Sequence, residues 1–182
     1  SLQTWSEYMG IALIRNLVVL LFLLVLQLEL FSSLRFFGVM PELLLAAAIA
    51  AGWYGGPLGG AIVGFSSGLF YDLYLATPLG LNALTYAIIG YLLGQIATFL
   101  TDEAEWVIRI TISVASVTVG LILFVTFGEL IAEPNLYNRN FGKILVISSL
   151  YTGLLLFPIH YMMAWAFGAD RITSSGFDRR FG

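Results

Sequence analysis

Long apolar runs constrain this chain more than any other feature of its sequence. Six such runs, separated by short segments, lie at about residues 11–31, 39–53, 58–75, 79–100, 107–130 and 144–167. A helix needs about 20 apolar residues to cross the hydrocarbon core of a bilayer. Only 10% of the residues are charged, against roughly a quarter in a soluble domain. The sequence therefore predicts an all-α membrane protein, with residues 1–182 forming a single domain, a bundle of six transmembrane helices.

The basic residues predict the orientation of this bundle. Six spans place both termini on one side of the membrane. If the N-terminus is inside, the inner side carries Arg15, Arg109, Arg171, Arg179 and Arg180, and the outer side carries Arg35, Arg139 and Lys143. Lys and Arg are enriched in cytoplasmic segments. Both termini are therefore predicted to be cytoplasmic.

Several kinds of functional site are excluded by the residues that are rare or missing. The chain has no Cys and a single His, so it lacks the thiolates and imidazole clusters that bind transition metals. It also lacks a basic cluster that could neutralise the phosphates of a nucleic acid. We expect no metal, no cofactor and no nucleic-acid partner; the expected environment is the lipid bilayer.

One short pattern resembles a catalytic motif. Residues 64–68 read Gly-Phe-Ser-Ser-Gly, which matches the G-x-S-x-G elbow of serine hydrolases. That elbow requires a turn between a strand and a helix, whereas these residues lie inside a predicted membrane helix. His160, the one candidate base, belongs to another helix, where we expect it to be a hydrogen-bonded structural residue. The chain is predicted not to be an enzyme.

Glycines recur every fourth residue in the third and fourth runs. The third run has Gly56, Gly60, Gly64 and Gly68, and the fourth ends with Gly90 and Gly94. Residues four apart lie on one face of a helix, and small residues allow two membrane helices to approach closely. The third and fourth spans are therefore predicted to be the most closely packed pair.

Asp72 continues the glycine series by one further turn and has two interpretations. It can cap the next helix by accepting hydrogen bonds from the N–H groups of Thr77, Gly80 and Leu81. Alternatively, it can anchor a partner protein or ligand, because a buried carboxylate in a span needs a partner. We favour the capping interpretation.

Two further polar or small-residue features lie outside this region. Gln27 and Glu29, near the end of the first run, are interpreted as interface residues that contact water. The second run contains Ala46, Ala47, Ala48, Ala50 and Ala51, and its thin face is predicted to be a docking groove for a partner helix. The loop over residues 129–143 is expected to hold the external segment of that partner.

Motifs between Pro41 and Gly94 carry a family resemblance. They are Pro41-Glu42-Leu43-Leu44-Leu45, Gly56-Pro57-Leu58-Gly59-Gly60, Gly64-Phe65 with Gly68-Leu69 and Asp72, and Pro78-Leu79-Gly80-Leu81-Asn82-Ala83-Leu84 with Gly90-Tyr91. Together they closely resemble the MreD family of rod shape-determining membrane proteins. Outside this third of the chain, only the length and the pattern of spans agree. The candidate residues for helix packing or partner binding are Gly56, Gly60, Gly64, Gly68, Asp72, Pro78, Gly80, Asn82, Gly90 and Gly94.

The resemblance implies a non-enzymatic scaffold in the bacterial inner membrane. Its role would be in the cell-elongation machinery, which controls cell shape and lateral peptidoglycan synthesis. The implied direct partner is MreC. The glycosyltransferase RodA, its penicillin-binding partner and the actin-like MreB would belong to the wider complex, and a homodimer is compatible with this assembly.

The architecture alone suggests a second candidate function. Six short spans with a thin helical hairpin are similar to the substrate-binding subunits of energy-coupling-factor vitamin transporters. Such a subunit encloses a small molecule in a pocket lined by polar groups. The best-placed residues here are Asp72, Asn82, Thr85 and Tyr86. Because they are few, the sequence favours the scaffold over the transporter subunit.

Overall fold

In the computed structural model, residues 2–30, 42–74, 79–100, 106–131 and 141–168 are described, and nearly all of them are helical. Helix α1 covers Leu2–Val25 and continues into a π-helical segment, Leu26–Leu30. The other helices are α2, Leu43–Tyr74; α3, Leu81–Phe99; α4, Trp106–Ile131; and α5, Phe141–Phe167. Within these ranges, five helices are long and apolar enough to cross a membrane. The count differs from the six predicted runs because the second and third runs both lie in α2.

Helix α2 reverses direction at Gly56. The backbone there has φ 66° and ψ −166°, a conformation that is readily open only to glycine. The Ser67 hydroxyl donates a hydrogen bond of 3.4 Å to the carbonyl of Leu44. In a straight helix these two residues would lie about 34 Å apart. Helix α2 is therefore a hairpin of two arms: the first arm is residues 43–55 and the second arm is residues 57–74.

The first arm occupies the centre of the bundle. All residues from Leu43 to Gly52 are buried, and contacts reach it from every neighbouring helix. Its five alanines are completely buried: Ala46, Ala47, Ala48, Ala50 and Ala51. Small side chains let the surrounding backbones approach, which explains why this segment is alanine-rich. The prediction that the alanine face is a docking groove for another protein is therefore wrong.

The bundle has two ends that differ in composition. At one end, the Gly56 end, the α2 turn lies near the start of α4 and the end of α5. The guanidinium carbon of Arg109 lies 5.4 Å from the centre of the Trp53 ring. The guanidinium carbon of Arg15 lies 4.9 Å from the centre of the Trp165 ring. At the opposite "Glu42 end", the first arm begins beside α3 and α5. Large apolar side chains cover the outside between the two ends, for example Leu13, Leu150 and Leu154, each about two-thirds exposed. This exposed apolar surface is what lipid contact requires.

Candidate functional site

The glycines form a seam where the second arm of α2 meets α3 backbone to backbone. A Cβ atom added to any of three glycines of the second arm would overlap the main chain of α3. The facing pairs are Gly60 with Gly90, Gly64 with Tyr86, and Gly68 with Asn82 and Ala83. Of all helix pairs in the described part of the chain, α2 and α3 contact each other most extensively. The glycine spacing correctly predicts this close approach.

The same seam continues to the Gly56 turn. A Cβ atom at Gly94 would overlap the main chain of Gly56 and Pro57, and one at Gly52 would lie 2.8 Å from the carbonyl oxygen of Gly90. Gly52 was not among the predicted residues, although it lies four residues before Gly56 and so has the same spacing. Gly56 itself differs from the other glycines. No atom lies within 4 Å of its added Cβ, so it is required for the turn and not for close packing.

Asp72 caps helix α3 from outside that helix. One carboxylate oxygen accepts hydrogen bonds from the backbone N–H groups of Gly80, at 3.0 Å, and Ala83, at 3.1 Å. The other oxygen accepts from the N–H of Asn82, at 3.1 Å, and from its side-chain amide, at 2.8 Å. Gly80 adopts φ 100° and supplies no side-chain cap of its own. Of the predicted donors, Gly80 is confirmed, and Asn82 and Ala83 donate although the sequence did not predict them. Thr77 and Pro78 lie outside the described residues.

A second set of polar side chains surrounds the start of the first arm. Glu42 accepts a 2.6 Å hydrogen bond from the Tyr86 hydroxyl, and its backbone N–H donates to the Thr152 hydroxyl at 3.0 Å. The N–H of Leu44 donates to the side-chain oxygen of Gln27 at 3.1 Å. The first N–H groups of a helix have no partner within it, and here side chains from the π-helical segment after α1 and from α5 provide one. Gln27 is only 1% exposed, so its interpretation as a water-contacting interface residue is wrong.

The depth of Glu42 follows from the length of the first arm. Thirteen residues of helix span about 20 Å, less than the roughly 30 Å hydrocarbon core. Glu42 therefore meets Thr152 about three turns into α5 and Tyr86 in the second turn of α3. A cavity of about 210 Å³ lies beside it. The polar lining comes from Glu42, Tyr71, Asn82 and Tyr86, and the apolar lining from Leu45, Gly120, Leu121 and Phe124.

The hydrolase-like pattern has no catalytic geometry. Residues 64–68 are helical throughout, without the strand-to-helix turn that exposes a nucleophile. The Ser67 hydroxyl donates to the carbonyls of Gly64 and Leu44 and is completely buried. His160 lies on α5, with its Nδ1 atom 3.3 Å from the Tyr54 hydroxyl. In the described part of the chain, no group of three or more His, Asp or Glu residues could hold a metal ion.

Comparison with protein families identifies the chain. A family model described as rod shape-determining protein MreD matches residues 9–166, which include nearly all the described helices. The chain belongs to the MreD family. The resemblance carried by the motifs between Pro41 and Gly94 is thereby confirmed, and it extends to α1, α4 and α5. An MreD-family membrane bundle thus contains the glycine seam, the cap of α3 by Asp72 and the hydrogen bonds around Glu42.

Searches among curated proteins and among solved structures found no match for this MreD-family chain. The similarity to energy-coupling-factor subunits therefore remains a prediction from architecture. The loop over residues 129–143 is expected to hold a partner's external segment, and its central residues 132–140 lie outside the described residues. That expectation also remains a prediction.

Proposed function

We propose that this MreD-family protein is a non-enzymatic scaffold of the cell-elongation machinery in the bacterial inner membrane. It binds MreC directly and so helps to regulate cell shape and lateral peptidoglycan synthesis. RodA, its penicillin-binding partner and MreB belong to the wider complex. The observation that carries this proposal is the family match over residues 9–166, since rod-shape determination is the role that the family description names.

The hydrogen bonds made by the buried polar groups support a scaffold function over an enzymatic one. Asp72 caps α3, Glu42 accepts from Tyr86 at the start of the first arm, and Ser67 bonds to two carbonyls. Each of these groups stabilises the arrangement of helices. A rigid bundle of this kind can hold another protein's membrane helix in a defined position.

The size of the cavity beside Glu42 argues against the transporter alternative. Its volume of about 210 Å³ is below the roughly 300–1,000 Å³ of typical small-molecule pockets. A vitamin-sized substrate would require the first arm or α4 to move away. No observation specifically favours that function, so the scaffold is the function we propose.

The hairpin in α2 supports a membrane arrangement with six crossings. Because the chain turns back at Gly56, α2 accounts for two crossings, and both termini then lie on the same side. Among the described residues, Arg15 and Arg109 lie toward the Gly56 end and Lys143 toward the Glu42 end. The excess of basic residues favours a cytoplasmic Gly56 end.

The role in cell shape can be tested in the bacterium that carries this chain. Depletion of the protein should convert rods into wide or round cells, measured as cell width by microscopy. The wild-type gene should restore the rod width, and so should a Gly10→Ala variant, because no atom lies within 4 Å of a Cβ added there. Rods of unchanged width after complete depletion would contradict the proposed function.

A further inference from the structure

A groove of about 350 Å³ lies between α4 and α5 at the Gly56 end of the bundle. Its polar lining comes from Arg109 and Ser113 of α4, His160 of α5, and Tyr54, which precedes the α2 turn. Its apolar lining comes from Ile110, Leu156 and Phe157. The groove is separate from the glycine seam and from the Glu42 cavity, and the proposed scaffold role does not use it.

Arg109, the basic residue of this groove, contacts Trp53 and Ser113 on one side. The indole N–H of Trp53 donates to the Ser113 hydroxyl at 2.8 Å, and that hydroxyl donates to the carbonyl of Arg109 at 2.8 Å. The guanidinium of Arg109 stacks on the same indole ring. A guanidinium carries five N–H donors, and a contact with a ring face leaves donors available for an anion. Within the described part of the chain, Arg109 forms no ion pair with a carboxylate.

Two further polar groups line the same groove. The Tyr54 hydroxyl and His160 Nδ1 are 3.3 Å apart, and the two rings meet edge to face with centres 5.6 Å apart. Arg109 lies one turn after the start of α4, and His160 lies two turns before the end of α5. The hydroxyl, the imidazole and the guanidinium thus line one groove at the Gly56 end of the bundle.

The apolar part of the groove extends toward the middle of the bundle. Leu156 and Phe157 precede His160 by about one turn on α5, and Phe157 is 58% exposed. An occupant must therefore be anionic near the helix ends and apolar toward the bilayer centre. Basic pockets between membrane helices bind the headgroups of anionic lipids in this way.

We propose that this groove binds an anionic phospholipid. The phosphate accepts hydrogen bonds from Arg109 and Tyr54, with His160 beside it, and one acyl chain lies along Ile110 and Phe157. A free phosphate ion would share the polar contacts and none of the apolar ones. The two ligands are therefore distinguishable by experiment.

Arg15 provides a matched control at the same end of the bundle. Its guanidinium also stacks on a tryptophan, Trp165. The neighbouring groove is lined by Val18, Val19, Phe22, Tyr161, Met162 and Trp165, and it has neither a histidine nor a lining arginine. Arg15→Gln removes the same charge as Arg109→Gln without touching the proposed site.

The test is native mass spectrometry of the full chain in detergent, titrated with phosphatidylglycerol or phosphatidylcholine. Wild type should retain phosphatidylglycerol in preference to phosphatidylcholine. Arg109→Gln should weaken phosphatidylglycerol binding about tenfold, the loss expected for one charge-assisted hydrogen bond. Tyr54→Phe should weaken it by a smaller factor, and Arg15→Gln should bind like wild type.

Three outcomes would overturn the proposal. Equal retention of the two lipids by wild type would remove the preference for an anion. Equal weakening by Arg15→Gln and Arg109→Gln would show a nonspecific effect of charge. Displacement of the lipid by millimolar inorganic phosphate would identify the groove as a site for the free ion. If Arg109→Gln fails to fold, the wild-type lipid comparison and Tyr54→Phe still decide between these outcomes.

Discussion

Asp72 and Glu42 show how single carboxylates organise this bundle. Each is beside the first turn of a helix that begins within the protein, and each accepts hydrogen bonds from residues of another segment. Backbone N–H groups at such a start have no water to bond in a membrane, where each unsatisfied group is costly. The Asp72 carboxylate accepts directly from such N–H groups, whereas the Glu42 carboxylate joins the start of the first arm to the Tyr86 hydroxyl of α3.

For Asp72 we predict a graded response to substitution. Asp72→Ala removes the acceptors of the four hydrogen bonds described above and should lower the free energy of unfolding by about 2–3 kcal/mol. Asp72→Asn keeps one acceptor oxygen but turns an NH₂ group toward two N–H donors, so it should cost about half as much. Thermal unfolding of the purified variants measures both losses. Equal losses would contradict this prediction, because they would show that the amide oxygen retained in Asp72→Asn contributes nothing to the cap.

The Tyr86 hydroxyl should contribute to stability because it donates a hydrogen bond to the Glu42 carboxylate. Tyr86→Phe leaves one carboxylate oxygen of Glu42 without its donor, and we expect a loss of about 1–3 kcal/mol. Tyr91→Phe on the same helix is the control, since Tyr91 is 45% exposed. Unfolding temperatures of the two variants should therefore differ. Matching values would mean that the Glu42–Tyr86 bond contributes nothing to stability.

At this scale the sequence predicts local partners better than distant ones. The cap by Asp72 was predictable because its donors lie within about ten residues along the chain. The sequence does not predict the contacts of Gln27 and Glu42, because their partners Leu44, Thr152 and Tyr86 come from other helices. No short-range spacing reports such contacts, and only the packing of the helices brings them together.

At the scale of elements, the glycine seam fixes the distance between α2 and α3. The sequence predicts it because a spacing of four residues reports directly which face of a helix is bare. The number of helices was harder to predict. The turn at Gly56 needs only one residue with positive φ, so two predicted spans appear as one element interrupted by a sharp reversal.

Substitutions along the seam should separate glycines that pack from glycines that do not. Gly64→Ala places a methyl group against the Tyr86 carbonyl, so the helices must move apart. Gly10→Ala in α1 meets no atom within 4 Å and should be neutral or stabilising by up to about 1 kcal/mol through helix propensity. The yield of monodisperse protein and its unfolding temperature provide the measurement. A Gly64→Ala protein as stable as wild type would contradict the close packing of the seam.

For the whole molecule, the α2 hairpin predicts six crossings of the membrane. Six crossings place both termini on the same side, whereas a straight α2 would place them on opposite sides. The chain contains no Cys, so single cysteines introduced at Thr4, Ser174 and Tyr137 can be labelled with a membrane-impermeant maleimide. We expect labelling at position 137 in intact cells, and at positions 4 and 174 only after permeabilisation. Labelling of only one terminus in intact cells would contradict six crossings.

Family membership was also predictable, because the motifs between Pro41 and Gly94 are dense and specific. The face that binds a partner was not. The alanines of the first arm suggested an open groove, but a small-residue face looks the same in the sequence whether its neighbours come from this chain or from another. In this protein the neighbours are its own helices.

Recovery of MreC with this protein tests the proposed scaffold most directly. The tagged chain and the MreC of the same bacterium are co-expressed, extracted in mild detergent and purified on the tag, and the amount of MreC is measured. We predict that wild type and Gly10→Ala retain MreC in a fixed ratio, and that Gly64→Ala retains less. A monodisperse wild-type preparation with no more MreC than an untagged control would contradict the scaffold role.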